Sequence, residues 1–228
     1  KCNPKKPTRP HTLVLSTAVW QELFMEEAEH RVLQGQSLLV LGSPGCGKTY
    51  TCKGLVELLR AQSKKVDVCS KTHSASSRAG GITADAWVRR HIIHGACSAD
   101  ALWIDEIGQL DIELVSALNR LTYMGIQLIL SGDFAQFPPI SNSWRGNPVH
   151  EDAFAQSRLL HTLAGGNRLR LLECKRSDTE LFSFYTRLVA GGDLFGLPVA
   201  TAVAQAREKF SFQGVCALNL VLSHRKRV

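Results

Sequence analysis

The chain has 228 residues, 44% of them hydrophobic and 21% charged, a balance ordinary for a globular protein with room for one large domain or one domain and part of another. No apolar run approaches the roughly 18 residues of a membrane span, and the basic start Lys1-Cys2-Asn3-Pro4-Lys5-Lys6-Pro7 leads into no apolar signal core, so a spanning helix and a secretory leader are both disfavoured. Seven scattered cysteines without C-x-x-C spacing speak against a disulfide framework or zinc site and for a reducing, intracellular compartment, while the net charge of +7 suits a polyanionic partner.

In chain order, residues 1–15 read as a disordered basic lead-in. The spacing of Val19, Leu23, Phe24, Ala28 and Val32 predicts an amphipathic helix over 17–33, capped by Ser16 or Thr17. Residues 37–41 predict a buried strand, 50–60 a helix and 65–70 a second strand. Residues 74–81 predict a loop or short helix, 83–93 a helix, and 101–104 a third strand ending on Asp105-Glu106. A helix over 111–122, a strand over 126–130, a surface loop over 138–148, a helix over 177–190 and a last strand over 217–223 follow. Alternating strands and helices imply an α/β fold with a parallel sheet and helices on both faces, whose ligands sit at the carboxyl ends of the strands.

Three polar motifs fall at those ends. Gly42-Ser43-Pro44-Gly45-Cys46-Gly47-Lys48-Thr49 matches G-x-x-x-x-G-K-[ST] between a strand and a helix. Its glycines let successive backbone N–H groups turn toward phosphate oxygens at a helix N-terminus. Lys48 is placed to reach the β- and γ-phosphates of a nucleotide, Thr49 to set its hydroxyl on Mg²⁺, and the nucleotide contact runs on to Tyr50. Cys46 lies where the positive field could lower its pKa, the alternative being a small filler residue. Leu102-Trp103-Ile104-Asp105-Glu106 supplies Asp105 for Mg²⁺ and Glu106 as base for an attacking water. Ser131-Gly132-Asp133-Phe134-Ala135-Gln136-Phe137-Pro138-Pro139 adds Gln136 as a γ-phosphate sensor, although in isolation it is a polar turn.

Taken together and in order, these boxes resemble the RecD-like and Pif-type DNA helicases of superfamily 1B. Phe137 stands where the family's G-D-x-x-Q-L-P-P box has Leu. Residues 71–83 resemble the family's strand-end box that contacts single-stranded DNA. Leu172-Glu173-Cys174-Lys175-Arg176-Ser177 resembles the box whose arginine, here Arg176, approaches the γ-phosphate from a second RecA-like domain, and Val221-Leu222-Ser223-His224 resembles that domain's next strand. The resemblance spans residues 16–228. It implies a P-loop NTPase fold, with a first RecA-like domain over 16–167 and the truncated start of a second over 168–228.

It further implies ATP and Mg²⁺ as cofactors, and single-stranded DNA and duplex junctions as partners, with no membrane and a monomeric state. The implied activity is ATP-dependent translocation and duplex unwinding, 5′→3′, in replication, recombination, repair or telomere maintenance, in the nucleus if the source is eukaryotic. Lys48, Glu106, Gln136 and Arg176 carry the catalysis. The DNA contacts fall to Thr72, His73, Ser74 and Thr83 as donors to phosphates, with Trp87 or His73 stacking on bases. Trp87 is open to a second reading as a core anchor, and Arg89-Arg90 reads either as phosphate attraction or as a solvated helix face. Trp144-Arg145 reads as a duplex-separating element or as ordinary loop packing. Without a second wall and its arginine finger, the piece is expected to bind nucleotide and hydrolyse it poorly. The alternatives are a P-loop kinase or phosphotransferase, or a nucleotide-binding module made inactive by truncation.

Overall fold

The apolar runs pair side by side. In the computed structural model, described over residues 19–93, 95, 97–189 and 191–210, they form a seven-stranded sheet in which every pairing is parallel. The chain runs β1 (Gln21–Leu23), α1 (Met25–Leu33), β2 (Leu38–Gly42), α2 (Lys48–Ala61), β3 (Val66–Ser70), α3 (His73–Ala79), β4 (Ile82–Thr83) and α4 (Ala84–Val88), which a π-helical turn continues over Arg89–Ile93. It goes on through β5 (Ala101–Asp105), α5 (Ile112–Leu118), α6 (Arg120–Tyr123), β6 (Gln127–Gly132), β7 (Ser143–Trp144), β8 (Asn147–Pro148), α7 (Arg158–Leu163) and β9 (Asn167–Leu171). The sheet order is β1-β9-β2-β6-β5-β3-β4.

Side chains alternate across this sheet, so a strand buried on both faces must be apolar throughout. Leu39, Leu102, Ile104, Leu128 and Leu130 pack on one face against Trp87 and Val88 of α4, Val115 and Leu118 of α5, and Leu160 of α7. Leu38, Val40, Trp103, Ile129 and Leu169 pack on the other against Ala28 and Val32 of α1 and Cys52, Leu55, Val56 and Leu59 of α2. The architecture is that of a P-loop NTPase of RecA-like type. Among the described residues no helix is long and apolar enough to cross a membrane.

The helix predicted over 17–33 begins only at Met25, and residues 16 and 17 lie outside the described part. Residues 21–23 form instead the edge strand β1, paired with β9 in the register Gln21–Asn167, Glu22–Arg168 and Leu23–Leu169. Arg31 fixes the corner by donating to Gln21 Oε1 (2.8 Å), Asn167 Oδ1 (3.0 Å) and Glu27 Oε1 (3.0 Å). Val19 and Phe24, counted on the helical stripe, are 89% and 84% exposed; backbone pairing outweighed a coincidental periodicity.

A strand over 167–171 is not expected from the sequence, since three of the five residues in Asn-Arg-Leu-Arg-Leu are polar and form no apolar run. This strand, β9, lies between β1 and β2, so the domain boundary expected after residue 167 runs through the sheet. The predicted loop 138–148 contains the antiparallel ribbon β7–β8, with Ser143 opposite Pro148 and Trp144 opposite Asn147. The chain divides into two compact units after Phe182, within α8 (Thr179–Thr186). In the second unit, which holds α9 (Val199–Lys209), the Phe184 and Phe210 rings meet edge to face with centroids 5.4 Å apart. The strand expected over 217–223 and the box at 221–224 lie outside the described residues.

Candidate nucleotide-binding site

The phosphate loop leaves β2 at Gly42 and enters α2 at Lys48, with Gly45 and Gly47 both at φ 86°, a conformation that side chains resist. Lys48 is 7% exposed and donates from Nζ to the Gly42 carbonyl (2.7 Å) and the Ser43 carbonyl (3.2 Å), spanning the loop. Pro44, Gly45, Gly47, Lys48, Thr49 and the 86%-exposed Tyr50 line one side of a cleft of about 700 Å³. Cys46 is buried beneath the loop. Burial, and then the neighbouring Cys174, push its thiol pKa up, contrary to the lowering that the loop's positive field suggested.

Beside the loop stand the acids at the end of β5, which line the same cleft. The Thr49 hydroxyl donates to Asp105 Oδ2 at 3.3 Å. The other carboxylate oxygen, Oδ1, accepts from Ser131 Oγ at 2.7 Å and from the Glu106 backbone N–H at 3.1 Å. Ser131 in turn accepts from the Trp103 indole N–H at 2.8 Å. Glu106 follows in the left-handed region (φ 56°, ψ 47°), an uncommon place for a non-glycine residue and one that turns its side chain off the strand into the cleft. Burial, and next the Asp105 charge, raise its carboxyl above the ordinary 4.5, against the pull of Lys48 and Arg78. Gln136 completes this wall: Asp133 accepts from its Nε2 at 3.3 Å and from the Ala135 N–H at 3.0 Å.

The third wall is the segment after β9. Lys175 donates its backbone N–H to the Gly45 carbonyl at 2.9 Å. A Cβ at Gly45 would meet Arg176 Cβ at 2.9 Å and Cys174 Sγ at 3.0 Å, and one at Gly42 would meet the Leu171 carbonyl at 2.8 Å. Arg176 therefore reaches the cleft from the same compact unit and sheet as the loop, and not from a second domain. Lys48, Thr49, Asp105, Glu106, Gln136 and Arg176 come together as expected from the sequence. Arg78, Lys53 and Lys175 also line the cleft without having been singled out; a basic residue on a helix carries no sequence mark of the direction it faces.

The strand-end box is split. Thr72 caps α3 by accepting from the Ala75 N–H, and Thr83 caps α4 by accepting from the Ala86 N–H; each keeps its hydroxyl hydrogen to donate. Thr72, His73 and Ser74 are exposed at the carboxyl end of β3. Trp87 is not a stacking platform: it is 1% exposed, its indole donates to Asp67 Oδ2 at 2.9 Å, and its ring stacks on His91 at 4.7 Å. Its large apolar surface is held by the core under α4. Arg90 lines a separate groove of about 360 Å³ with Arg60, Lys65, Asp67 and His91, beside the start of β3 and so at the other end of that strand from Thr72. Trp144 lies on the β7–β8 ribbon with Arg145 over its ring at 5.6 Å.

Comparison with known proteins finds similarity to helicases. The chain is 28% identical over 148 residues to the ATP-dependent DNA helicase Pif1 of Psychrobacter sp. (strain PRwf-1), covering 53% of this chain and 22% of that protein. It is 26% identical over 242 residues to the ATP-dependent DNA helicase PIF1 of Danio rerio, covering 94% of this chain and 36% of the relative. The crystal structure of Pif1 helicase from Candida albicans superposes with a TM-score of 0.62 at 26% identity, covering 86% of this chain and 48% of the other. The chain thus spans between 22% and 48% of the length of these relatives. The loop, both acids, Gln136 and the strand-end box all fall within residues 26–162, which match the AAA domain family over more than half of the sequence, and the chain belongs to that family.

Proposed function

We propose that this chain is the nucleotide-binding part of an ATP-dependent DNA helicase. The observation that carries the reading is the meeting of Thr49 and Asp105 (3.3 Å) on the floor of a cleft that also gathers Lys48, Glu106, Gln136 and Arg176. The names of the relatives, ATP-dependent DNA helicases, and the net charge of +7 support a DNA-directed use of that cleft. ATP lies with its phosphates along the loop, whose close approach to Leu171, Cys174 and Arg176 leaves no room for a Cβ at Gly42 or Gly45. The hydroxyl and carboxylate of Thr49 and Asp105 form an oxygen donor pair suited to Mg²⁺, which would neutralise charge building on the β- and γ-phosphates.

Lys48 exchanges its loop carbonyls for phosphate oxygens. Glu106, with its raised pKa, takes the proton of the attacking water. Gln136 and Arg176, which both line the cleft, respond to the presence or loss of the γ-phosphate. Single-stranded DNA runs across Thr72, His73 and Ser74 at the carboxyl ends of the strands, with 5′→3′ movement, duplex unwinding and a role in replication, recombination or repair carried over from the family resemblance. The second compact unit begins a second RecA-like domain.

The test is binding of a fluorescent ATP analogue to this chain, and ATP hydrolysis by the longer parent protein with and without single-stranded DNA. Lys48→Ala is expected to abolish binding or turnover, and DNA is expected to stimulate the wild type. Unchanged activity in Lys48→Ala refutes the site, and phosphate passed to a small-molecule acceptor without DNA stimulation refutes the helicase.

A further inference from the structure

We propose that Trp103 and Ser131 are positioning residues for the metal-binding carboxylate: a fully buried indole–hydroxyl–carboxylate chain that locks Asp105 with one oxygen turned toward Thr49. The inference rests on the nucleotide-site reading above.

The hydrogen-bond inventory fixes the direction of the chain. An indole N–H can only donate, so the 2.8 Å contact makes Ser131 Oγ the acceptor from Trp103. The hydroxyl's single hydrogen is then left for Asp105 Oδ1, at 2.7 Å. The Glu106 N–H occupies the same oxygen at 3.1 Å, so Oδ1 is held by two donors and Oδ2 faces Thr49. Strand register makes the arrangement possible. Trp103 pairs with Ile129 and Ile104 with Leu130, so Asp105 and Ser131 come next, on the same face as Trp103 and α2. Trp103 and Ser131 are 0% exposed and Asp105 is 4% exposed, so no water competes for these bonds. The Cys52 thiol of α2 lies against the same hydroxyl, and full burial drives its pKa far up, which keeps it protonated.

A carboxylate free to rotate about its last torsion divides its time between orientations, and a metal site loses affinity accordingly. Partners one step removed from a metal ligand are typically worth about 10- to 100-fold in metal affinity or activity. Ser131 follows the apolar run Leu128–Leu130 of β6, and Trp103 supplies the donor that an aliphatic residue in its place would not.

The test titrates Mg²⁺ against binding of mant-ATP to the whole chain. Ser131→Ala is expected to raise the Mg²⁺ concentration for half-maximal binding about tenfold. Trp103→Phe, which keeps a ring and removes the N–H, shifts the midpoint in the same direction, and Ser131→Thr restores it. Affinity for mant-ATP in EDTA stays at the wild-type value in all three. An unchanged midpoint in Ser131→Ala and Trp103→Phe overturns the proposal, as does an equal loss in EDTA, which would mark a purely structural role. Trp103→Phe decides alone if Ser131→Ala does not fold. Failure of the wild type itself to bind mant-ATP at any Mg²⁺ concentration sinks the nucleotide reading, a result distinct from an unshifted midpoint.

Discussion

Glu106 combines three features at one residue: a left-handed backbone, partial burial and a carboxylate neighbour. The last two disfavour its charged form, so the folded protein holds this proton more tightly than the unfolded chain does. Stability therefore falls as pH rises from 4.5 through the raised folded value, and the deficit persists above it. Glu106→Gln removes the charge and keeps the shape. Its melting temperature is expected to exceed that of the wild type at pH 8, with the difference closing below about pH 4.5; a pH-independent difference in calorimetry would contradict the assignment. In an ATP-hydrolysis assay the same variant is expected to retain ATP binding while hydrolysis falls by at least about 10²-fold. Loss of binding and hydrolysis together would point to a structural role instead. The role proposed for Glu106 follows from I-D-E behind a phosphate loop, but its exposure and backbone conformation do not. The same limit explains Trp87, whose identity suits a base-stacking platform or a core anchor equally well until Asp67 and His91 are seen to occupy its edge and face.

Among the elements, Asp111 links the strand-end box to the helices behind it. Its carboxylate caps α5 by accepting from the Leu114 N–H (2.9 Å) and pairs with Lys71 Nζ (3.0 Å), which also reaches Asp85 (3.1 Å) in the first turn of α4. Partial burial pushes the Asp111 carboxyl up, yet the Leu114 N–H and the Lys71 ammonium outweigh it and hold the pKa below 3.8. That stabilisation is present above the ordinary value and is lost as pH falls through the folded one. Asp111→Ala should cost about 1–2 kcal/mol in urea unfolding at neutral pH, and less in acid; an equal cost at both would remove the charge from the account. The cap was legible as an acid at the start of an apolar period, whereas the ion pair joins positions 40 residues apart, which no local pattern records. Long apolar strands declared themselves for the same reason that short ones failed. β2, β5 and β6 are buried on both faces, while β1 and β9 are held by main-chain pairing and by charged side chains such as Glu22 and Arg168 that look like surface.

Across the whole molecule, parallel strands carry the phosphate loop, the acids, Gln136 and the Thr72–Ser74 box to one edge of the sheet, where the proposed DNA strand and nucleotide would meet neighbouring groups. The basic character is not confined to that edge, since Arg60, Lys65 and Arg90 line a groove by the start of β3. Charge alone therefore leaves two candidate tracks at opposite ends of one strand, and a charge reversal at each separates them. Ser74 is exposed in the first turn of α3, where an added carboxylate suits the helix dipole and leaves folding intact. Ser74→Glu is expected to weaken single-stranded DNA binding by about tenfold at 50 mM salt and by less at 300 mM, because phosphate repulsion is screened. Arg90→Glu is expected to change it by less than about threefold, since a phosphate strand over Thr72 lies more than a Debye length of about 10 Å from the start of β3. Fluorescence anisotropy of a labelled oligonucleotide at the two salt concentrations measures both. The opposite ranking would move the DNA to the far end of the sheet, out of reach of Glu106 and Gln136.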